Sequence, residues 1–363
     1  MVNKTVSKTA NKTVNKTVNE PELIIAGRKI GAAYPPYVIP EIGINHEGDM
    51  GKARRMIDDA AVAGAEVVKF QSHSPADEMV PNDVIPANAD VSIWEIISRC
   101  TLSWEQEQEL KEYAEGQGLT YLSTPFSREA ADHLQSMNVA AYKIGSGECN
   151  NLPLIDHIAS FQKPVILSTG MNDLSSVARS VEIFHRHNTP YALLHCTSLY
   201  PTPRNKVRLG AIAELREAFP DAVLGLSDHT LSNHVAIAAV ALGASILERH
   251  FTSDATWEGP DIEISMTPEG LRDLVSGSRW AHEALGGSKT ILEEEQPTID
   301  FAYASVVTLR QIEQGETFDS SNLWVKRPGT GEILAPAYDS VLGTCSARTL
   351  PADYQLRWSD VSS

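Results

Sequence analysis

The sequence predicts an α/β architecture, a (β/α)8 barrel of the TIM type followed by a small β-rich module, and three observations carry that expectation. Eight short apolar runs each stop abruptly in polar residues, helical patterns lie between them, and near residue 287 the chain turns to short runs punctuated by Gly and Pro. Alternating strands and helices select a parallel sheet, and eight parallel strands close this kind of barrel. With 363 residues and 42% hydrophobic content, the chain can fill one large core and one minor core.

Residues 1–20 repeat Asn-Lys-Thr-Val and bury too little apolar surface to fold, so a disordered, low-complexity tail is expected there. The barrel is expected over 21–286. Residues 22–31 read as a hairpin with Gly27-Arg28 in its turn, plugging one end. The strand runs are 41–48, 66–71, 119–124, 139–146, 164–169, 191–198, 222–229 and 244–250. Helical patterns fill 51–64, 104–117, 127–137, 152–159, 174–187, 209–218, 234–242 and 268–285. The segment 72–99 carries Pro75, Pro81 and Pro86 and reads as an extended loop over the mouth. Residues 287–300 are Gly-led, acidic and Pro-terminated, as a linker is, and 301–363 form a module too small to be comfortable alone.

A formal charge of −17 argues against nucleic acid or an anionic membrane as partner, because both reward a basic face. No apolar run approaches the ~20 residues that cross a bilayer, and no signal peptide opens the chain, so a cytoplasmic protein is expected. Cys100, Cys149, Cys196 and Cys345 form no C-x-x-C pair and read as buried thiols, and the N-x-T triplets of the tail read as chance matches.

Side chains of a strand alternate between faces, so residues two apart share one. Glu41, Gly43 and Asn45 share a face, as do Lys69 and Gln71, Ser168 and Gly170, His195 and Thr197, Gly225, Ser227 and His229, and Glu248 and His250. An inward charge is costly inside a barrel unless it is paired or at the mouth, which places these groups near the C-terminal rim. His229 and His250 close adjacent strands and suit an open divalent-cation site completed by water and substrate oxygen. Lys69 and Lys143, with Ser123, Thr124, Ser146, Ser168 and Ser227, suit a phosphate or phosphate-plus-carboxylate ligand. Each lysine equally suits a barrel carboxylate such as Glu41 or Glu148. Glu41, Glu148 and Glu248 are candidate acid/base groups. Ser227-Asp228-His229 is no triad, since strand neighbours face opposite ways.

The motifs EIGINHEG, GAEVVKFQ, STPFS, YKIGSGECNN, ILSTGM, LLHCTSLYPTP, GLSDHT, GASILERHF, GPD and LWVKRPGTG, in this order from Glu41 to Arg327, closely resemble the sialic acid synthase family. The resemblance implies a TIM barrel with a C-terminal antifreeze-like (SAF) domain. It also implies condensation of phosphoenolpyruvate with N-acetylmannosamine and water to N-acetylneuraminate and phosphate. By this likeness Lys69, Gln71, Thr124, Lys143, Ser146, Ser168 and Ser227 hold phosphoenolpyruvate, and His229 and His250 bind Mn2+ or Mg2+. Glu41, Glu148 and Glu248 handle protons and water, while Tyr200 and Asp261 contact the open-chain sugar. The family's antifreeze-like domain crosses to the partner of a homodimer, so Phe301 and Arg327 would complete the neighbour's sugar pocket. Ser198 stands where some bacterial members have Asn and still offers a donor, of shorter reach. Phe70 stands between Lys69 and Gln71 where a polar residue also occurs, and alternation turns it away. A legionaminic or pseudaminic acid synthase using a 2,4-diacetamido sugar is the nearest alternative; a non-catalytic carbohydrate- or ice-binding protein and a metal-dependent barrel hydrolase are alternatives from other classes.

Overall fold

The structure, a computed structural model, describes residues 20–86 and 89–362, so the tail expected over 1–20 lies outside it apart from Glu20. The chain divides into two compact units at Gly286/Gly287.

The first unit opens with a hairpin, β1 (Leu23–Ile25) and β2 (Arg28–Ile30). Its turn is Ala26-Gly27, one residue earlier than expected, with φ of 48° and 81°. Positive φ at both central positions is the type I′ pattern of a two-residue hairpin turn, and Arg28 pairs with Ile25 instead of turning. Eight parallel strands follow: β3 (Tyr37–Gly43), β4 (Val67–Ser72), β5 (Thr120–Pro125), β6 (Tyr142–Ile144), β7 (Val165–Ser168), β8 (Tyr191–Cys196), β9 (Val223–Asp228) and β10 (Ile246–His250). They close in sequence order, β10 pairing with β3. The fold is a TIM barrel.

The first barrel strand begins at Tyr37, four residues before the polar stretch that marked it. Pro40 lacks a ladder donor and so obscures the strand in the sequence. The chain leaves the strand after Gly43, at φ 56°, so Asn45 and His46 lie in the following turn. Asn45 Nδ2 donates to the Phe251 carbonyl (3.0 Å) and Ser265 Oγ (2.9 Å), and His46 Nδ1 accepts from the Gly48 amide. Both residues brace the rim.

Helices start where the sequence supplies caps: Asp49, Ser127, Asp173 and Thr267 accept from first-turn amides, and Ser103 with Gln106 forms a reciprocal capping box. The segment 72–99 is less loop-like than expected, holding helices Pro75–Glu78 and Ile93–Cys100; Pro75 occupies a first-turn position where a missing N–H costs nothing.

Two apolar layers result. Between strands and helices lies the larger, with Phe70 stacked on Tyr121, turned away from the barrel axis as alternation predicts. Inside the barrel, Ile39, Val67, Leu122, Ala141, Ile166, Ala192, Leu194, Val223 and Ile246 form the second layer. Leu23, Ile25 and Ile30 of the hairpin join it and stopper that end. Interior apolar residues therefore fill the N-terminal part, and the inward positions beyond them fall at the C-terminal mouth.

The second unit pairs β11 (Ser305–Thr308) with β12 (Leu323–Lys326) and β13 (Cys345–Ser346) with β14 (Val361–Ser362), each antiparallel. Its own core includes Val306, Phe318, Leu323, Val341 and Leu356. The stretch expected as a linker, 287–300, ends in a helix, Gln296–Ala302, with Pro297 in its first turn. All four cysteines are free thiols, Cys345 half-buried and the others buried. Among the described residues no helix is long and apolar enough to cross a membrane.

Candidate active site

Strand register builds the mouth. Glu41 on β3 lies opposite Lys69 on β4, Gln71 opposite Thr124 on β5, and Glu248 on β10 opposite Ser227 on β9. Lys143 ends the inward face of β6 one step beyond Ala141, and Ser168 does so on β7 beyond Ile166. Glu41, Lys69, Lys143 and Glu248 are all nearly inaccessible to solvent. Buried charges persist only when paired, and these four alternate in sign. The Lys69 ammonium makes a close ion pair with Glu41 Oε2 and sits 3.8 Å from Glu248 Oε2, and Lys143 Nζ is 3.6 Å from Glu248 Oε1. Lys69 also donates to Thr124 Oγ1 at 3.2 Å, Lys143 to the Ile144 carbonyl at 3.0 Å, and Ser227 Oγ to Glu248 at 3.2 Å.

The environment drives the two carboxyls apart. Burial pushes Glu41 up to about 7 against the pull of Lys69, with the charge of Glu248 adding to the rise. Burial alone would raise Glu248 too, but Lys143 and Lys69 outweigh it and hold that carboxyl below its ordinary value. One group thus titrates near neutrality while its neighbour stays ionised, the arrangement that separates acid from counter-charge. Glu148 stands apart in a 3-10 turn (Ser146–Asn150), raised by burial and held by Asn151 Nδ2 at 2.6 Å.

Hydroxyls add further donors at the mouth, a set chemically able to hold an anion. Ser146 Oγ accepts from the Gly170 amide at 3.0 Å, and Ser168 Oγ is buried with no hydrogen-bond partner among the described residues. A Cβ on Gly170 would lie 2.4 Å from Ser198 Oγ and 2.8 Å from Ser146 Oγ, so only glycine lets these hydroxyls converge.

His250 ends β10 and His229 follows β9, their ring centroids 5.5 Å apart. Burial takes His250 well below the ordinary histidine value, so its imidazole is neutral. Its Nδ1 is buried with no hydrogen-bond partner among the described residues, 3.6 Å from Asp261 Oδ2. Burial would lower His229 as well, but Cys196 and the Thr197 carbonyl, 3.2 Å from Nδ1, draw its value up. Tyr200 stacks on His229 at 4.1 Å and meets His250 edge-on. Among the described residues no cluster of three or more His, Cys, Asp and Glu is disposed to hold a metal ion. Two imidazoles with an orphaned ring nitrogen fit the protein half of an open site.

Three features escaped the sequence. The inward residue of β8 is Cys196, continuing Ala192 and Leu194, not His195. His195 faces the helices, where Nε2 bonds the Val207 carbonyl at 2.6 Å, beside a cavity of about 480 Å³ lined by Ala211 and Leu215. Both faces of this strand are buried, so alternation offered no polar marker for direction. Cys196 Sγ lies 3.9 Å from His229 Nδ1 and 4.0 Å from Ser198 Oγ. His73 and Glu78, from the segment read as loop, also reach a cavity of about 320 Å³ that Gln71, Tyr200, His250 and Asp261 line at its polar end. Ile44, Met79, Ile93, Ile96 and Ile97 form its apolar wall. Asp261 is pushed up to about 6 by burial.

Phe301 and Arg327 belong to the second unit, where the guanidinium lies over the Phe301 ring at 5.7 Å. Both are exposed, and Arg327 has no carboxylate partner among the described residues.

With this geometry in hand, residues 56–290 match the model of the NeuB family, and residues 303–362 match that of the SAF domain. The chain belongs to the NeuB family. Over 330 residues it is 36% identical to the N,N'-diacetyllegionaminic acid synthase of Campylobacter jejuni, covering 88% of this chain and 98% of that one. It is 34% identical over 306 residues to the human N-acetylneuraminate-9-phosphate synthase, covering 83% and 85%. The crystal structure of an N-acetylneuraminic acid synthetase from Leptospira borgpetersenii superposes with a TM-score of 0.71 at 32% identity, over 77% of this chain and 95% of that one. NeuB relatives of this chain thus include sialic, legionaminic and pseudaminic acid synthases. A synthase of this sugar-acid type is the coarse activity, and the reading as a non-catalytic binding protein has no support among them.

Proposed function

We propose that this NeuB protein condenses phosphoenolpyruvate with N-acetylmannosamine and water, giving N-acetylneuraminate and inorganic phosphate. The observation that carries the reading is the quartet of buried Lys69, Lys143, Glu41 and Glu248 at the mouth of a closed barrel, ringed by hydroxyls. Lys69 and Lys143, with Thr124, Ser146, Ser168, Ser198 and Ser227, hold the phosphate and carboxylate by charge-assisted bonds. Fixing the enol at near-attack distance is their main contribution, because it removes the entropy of encounter.

A divalent cation, Mn2+ or Mg2+, held by His229 and His250 would supply Lewis acidity to the aldehyde oxygen. The enol carbon attacks the aldehyde carbon, and positive charge grows at the adjacent carbon. Glu248, kept ionised by its lysines, stabilises that charge. Water adds there, the C–O bond to phosphate breaks, and Glu41, which titrates near 7, moves the proton. Glu148 acts at the rim; Gln71, which the resemblance assigns to phosphoenolpyruvate, lines the cavity beside Tyr200 and Asp261, and these three contact the open-chain sugar. We also propose a homodimer in which the SAF domain of one subunit brings Phe301 and Arg327 to the sugar pocket of its partner.

A 2,4-diacetamido sugar is the second reading, supported by 36% and 35% identity to two N,N'-diacetyllegionaminic acid synthases and by the long apolar wall of the cavity, where a second acetyl group has room. Phosphate release from phosphoenolpyruvate, measured with each sugar before and after chelation, tests the proposal. Release with N-acetylmannosamine that stops on chelation is expected. Release with neither sugar overturns the reading, and release only with the diacetamido sugar selects the second. Oxygen labelling should leave the bridging oxygen of phosphoenolpyruvate in phosphate; finding it in the sugar rules out C–O cleavage.

A further inference from the structure

We infer that His73 is a positioning residue that acts through Gln71 to fix the direction of the Glu41 carboxylate. The inference rests on the reading of Glu41 as a proton-handling group. His73 lies one residue beyond β4, buried, with its ring stacked on Phe126 at 4.5 Å and 11°. Phe126 fixes the plane of the imidazole. Its rotation within that plane is fixed by Glu78, whose two oxygens lie 2.9 and 3.0 Å from Nδ1. Glu78 is itself anchored, because Oε2 accepts from the Ser74 amide at 3.2 Å.

The other ring nitrogen, Nε2, is 3.0 Å from Gln71 Oε1, and Gln71 Nε2 is 3.1 Å from Glu41 Oε1. A carboxylate only accepts, so the amide must turn its NH2 toward Glu41 and its oxygen toward His73. Nε2 therefore carries a hydrogen, and Nδ1, which faces only the acceptor oxygens of Glu78, carries one too. The chain of donation runs His73 to Gln71 to Glu41, whose second oxygen is held by Lys69. Without the imidazole donor the Gln71 oxygen loses its partner, and the amide, held at Glu41 alone, can swing about that contact. His73 thus fixes the lie of the Gln71 amide against Glu41, and it does so without touching the anion seat made by Lys69, Lys143 and the hydroxyls. Small displacements at such a point are costly, since about 1 Å of misplacement loses on the order of 10²-fold in rate.

A merely structural role, stitching the 72–99 segment to the barrel, predicts something else: lower melting temperature and effects independent of Gln71. His73→Phe keeps the ring against Phe126 and removes the donor, whereas His73→Gln restores an N–H near the place of Nε2. Expected for His73→Phe is a kcat lower by ~10–100-fold with the KM for phosphoenolpyruvate within about twofold, and for His73→Gln recovery of most of the loss. In a double-mutant cycle, His73→Phe added to Gln71→Ala should cost nothing further. Additive losses, an unchanged kcat in His73→Phe, or no recovery in His73→Gln would overturn the inference. If His73→Phe does not fold, His73→Leu, which also removes the donor, carries the same cycle with the same criteria. An activity-independent arm uses 15N-glutamine-labelled protein. The side-chain NH2 pair of Gln71, assigned by its loss in Gln71→Ala, should shift and exchange faster in His73→Phe than in wild type, and an unchanged pair overturns the inference. If wild-type protein releases no phosphate, the functional reading fails while this arm still decides the role of His73.

Discussion

Replacing Glu41 by Gln should abolish a proton uptake that accompanies binding of phosphoenolpyruvate. Glu41 is buried in a close ion pair with Lys69 and titrates at about 7 in the free protein. A bound anion on Lys69 and Lys143 adds negative charge beside it and raises its value further. The complex then holds a proton that the free protein has lost at higher pH, so affinity falls as pH rises above 7. The loss is roughly tenfold, or about 1.4 kcal/mol, per pH unit until the value in the complex is passed. At pH 8 about 0.9 proton per ligand should be taken up. Calorimetry in two buffers of different ionisation enthalpy reads this number directly. Glu41→Gln mimics the protonated carboxyl, keeps a partner for Gln71, and should bind with little uptake; the second ionisation of the ligand phosphate is common to both proteins. Equal uptake by wild type and Glu41→Gln at pH 8, or a flat wild-type affinity from pH 6.5 to 8.5, would refute the reasoning.

Lys143→Met removes one charge-assisted contact and leaves Glu248 with one close lysine, so phosphoenolpyruvate should bind ~10–100-fold more weakly, read by equilibrium titration. His229 must give up its proton to ligate a cation, so Mn2+ affinity followed by paramagnetic relaxation should strengthen with pH and collapse in His250→Ala. Arg327→Ala should raise the KM for the sugar while sparing phosphoenolpyruvate, with equal losses counting against the crossing SAF domain. Glu107, buried against Ser72 Oγ at 2.8 Å, is pushed up to about 8 by burial. The folded chain keeps a proton there that the unfolded chain loses above about 4.5. Stability should therefore fall with rising pH between about 4.5 and 8, by up to about 1.4 kcal/mol per unit, and Glu107→Gln should flatten that slope in urea unfolding.

Much of the mouth was legible because a charged residue ending an apolar run has few stable places to go. Lys69, Lys143, Glu41 and Glu248 stood out for that reason, and the structure gathers them within a few ångströms. Alternation failed on β8, where Cys196 faces inward and His195 faces the helices, because apolar neighbours on both faces leave parity without a reference. Asn45 failed differently: the strand ends at Gly43, so counting residues along a strand no longer applied. His73 and Glu78 lay in a proline-rich segment whose chemistry looked like that of an ordinary loop.

Sequence alone determined the number and order of strands, the parallel barrel, the passage to a second unit near residue 287 and the residue types available at the rim. These follow from local periodicity and from the cost of burying charge. Tertiary structure decided which lysine meets which carboxylate, the splitting of Glu41 from Glu248, the convergence of hydroxyls over Gly170, and the run from Glu78 through His73 and Gln71 to Glu41. Those features depend on distances between strands far apart in the chain, set by the closure of the barrel, and no local pattern encodes them.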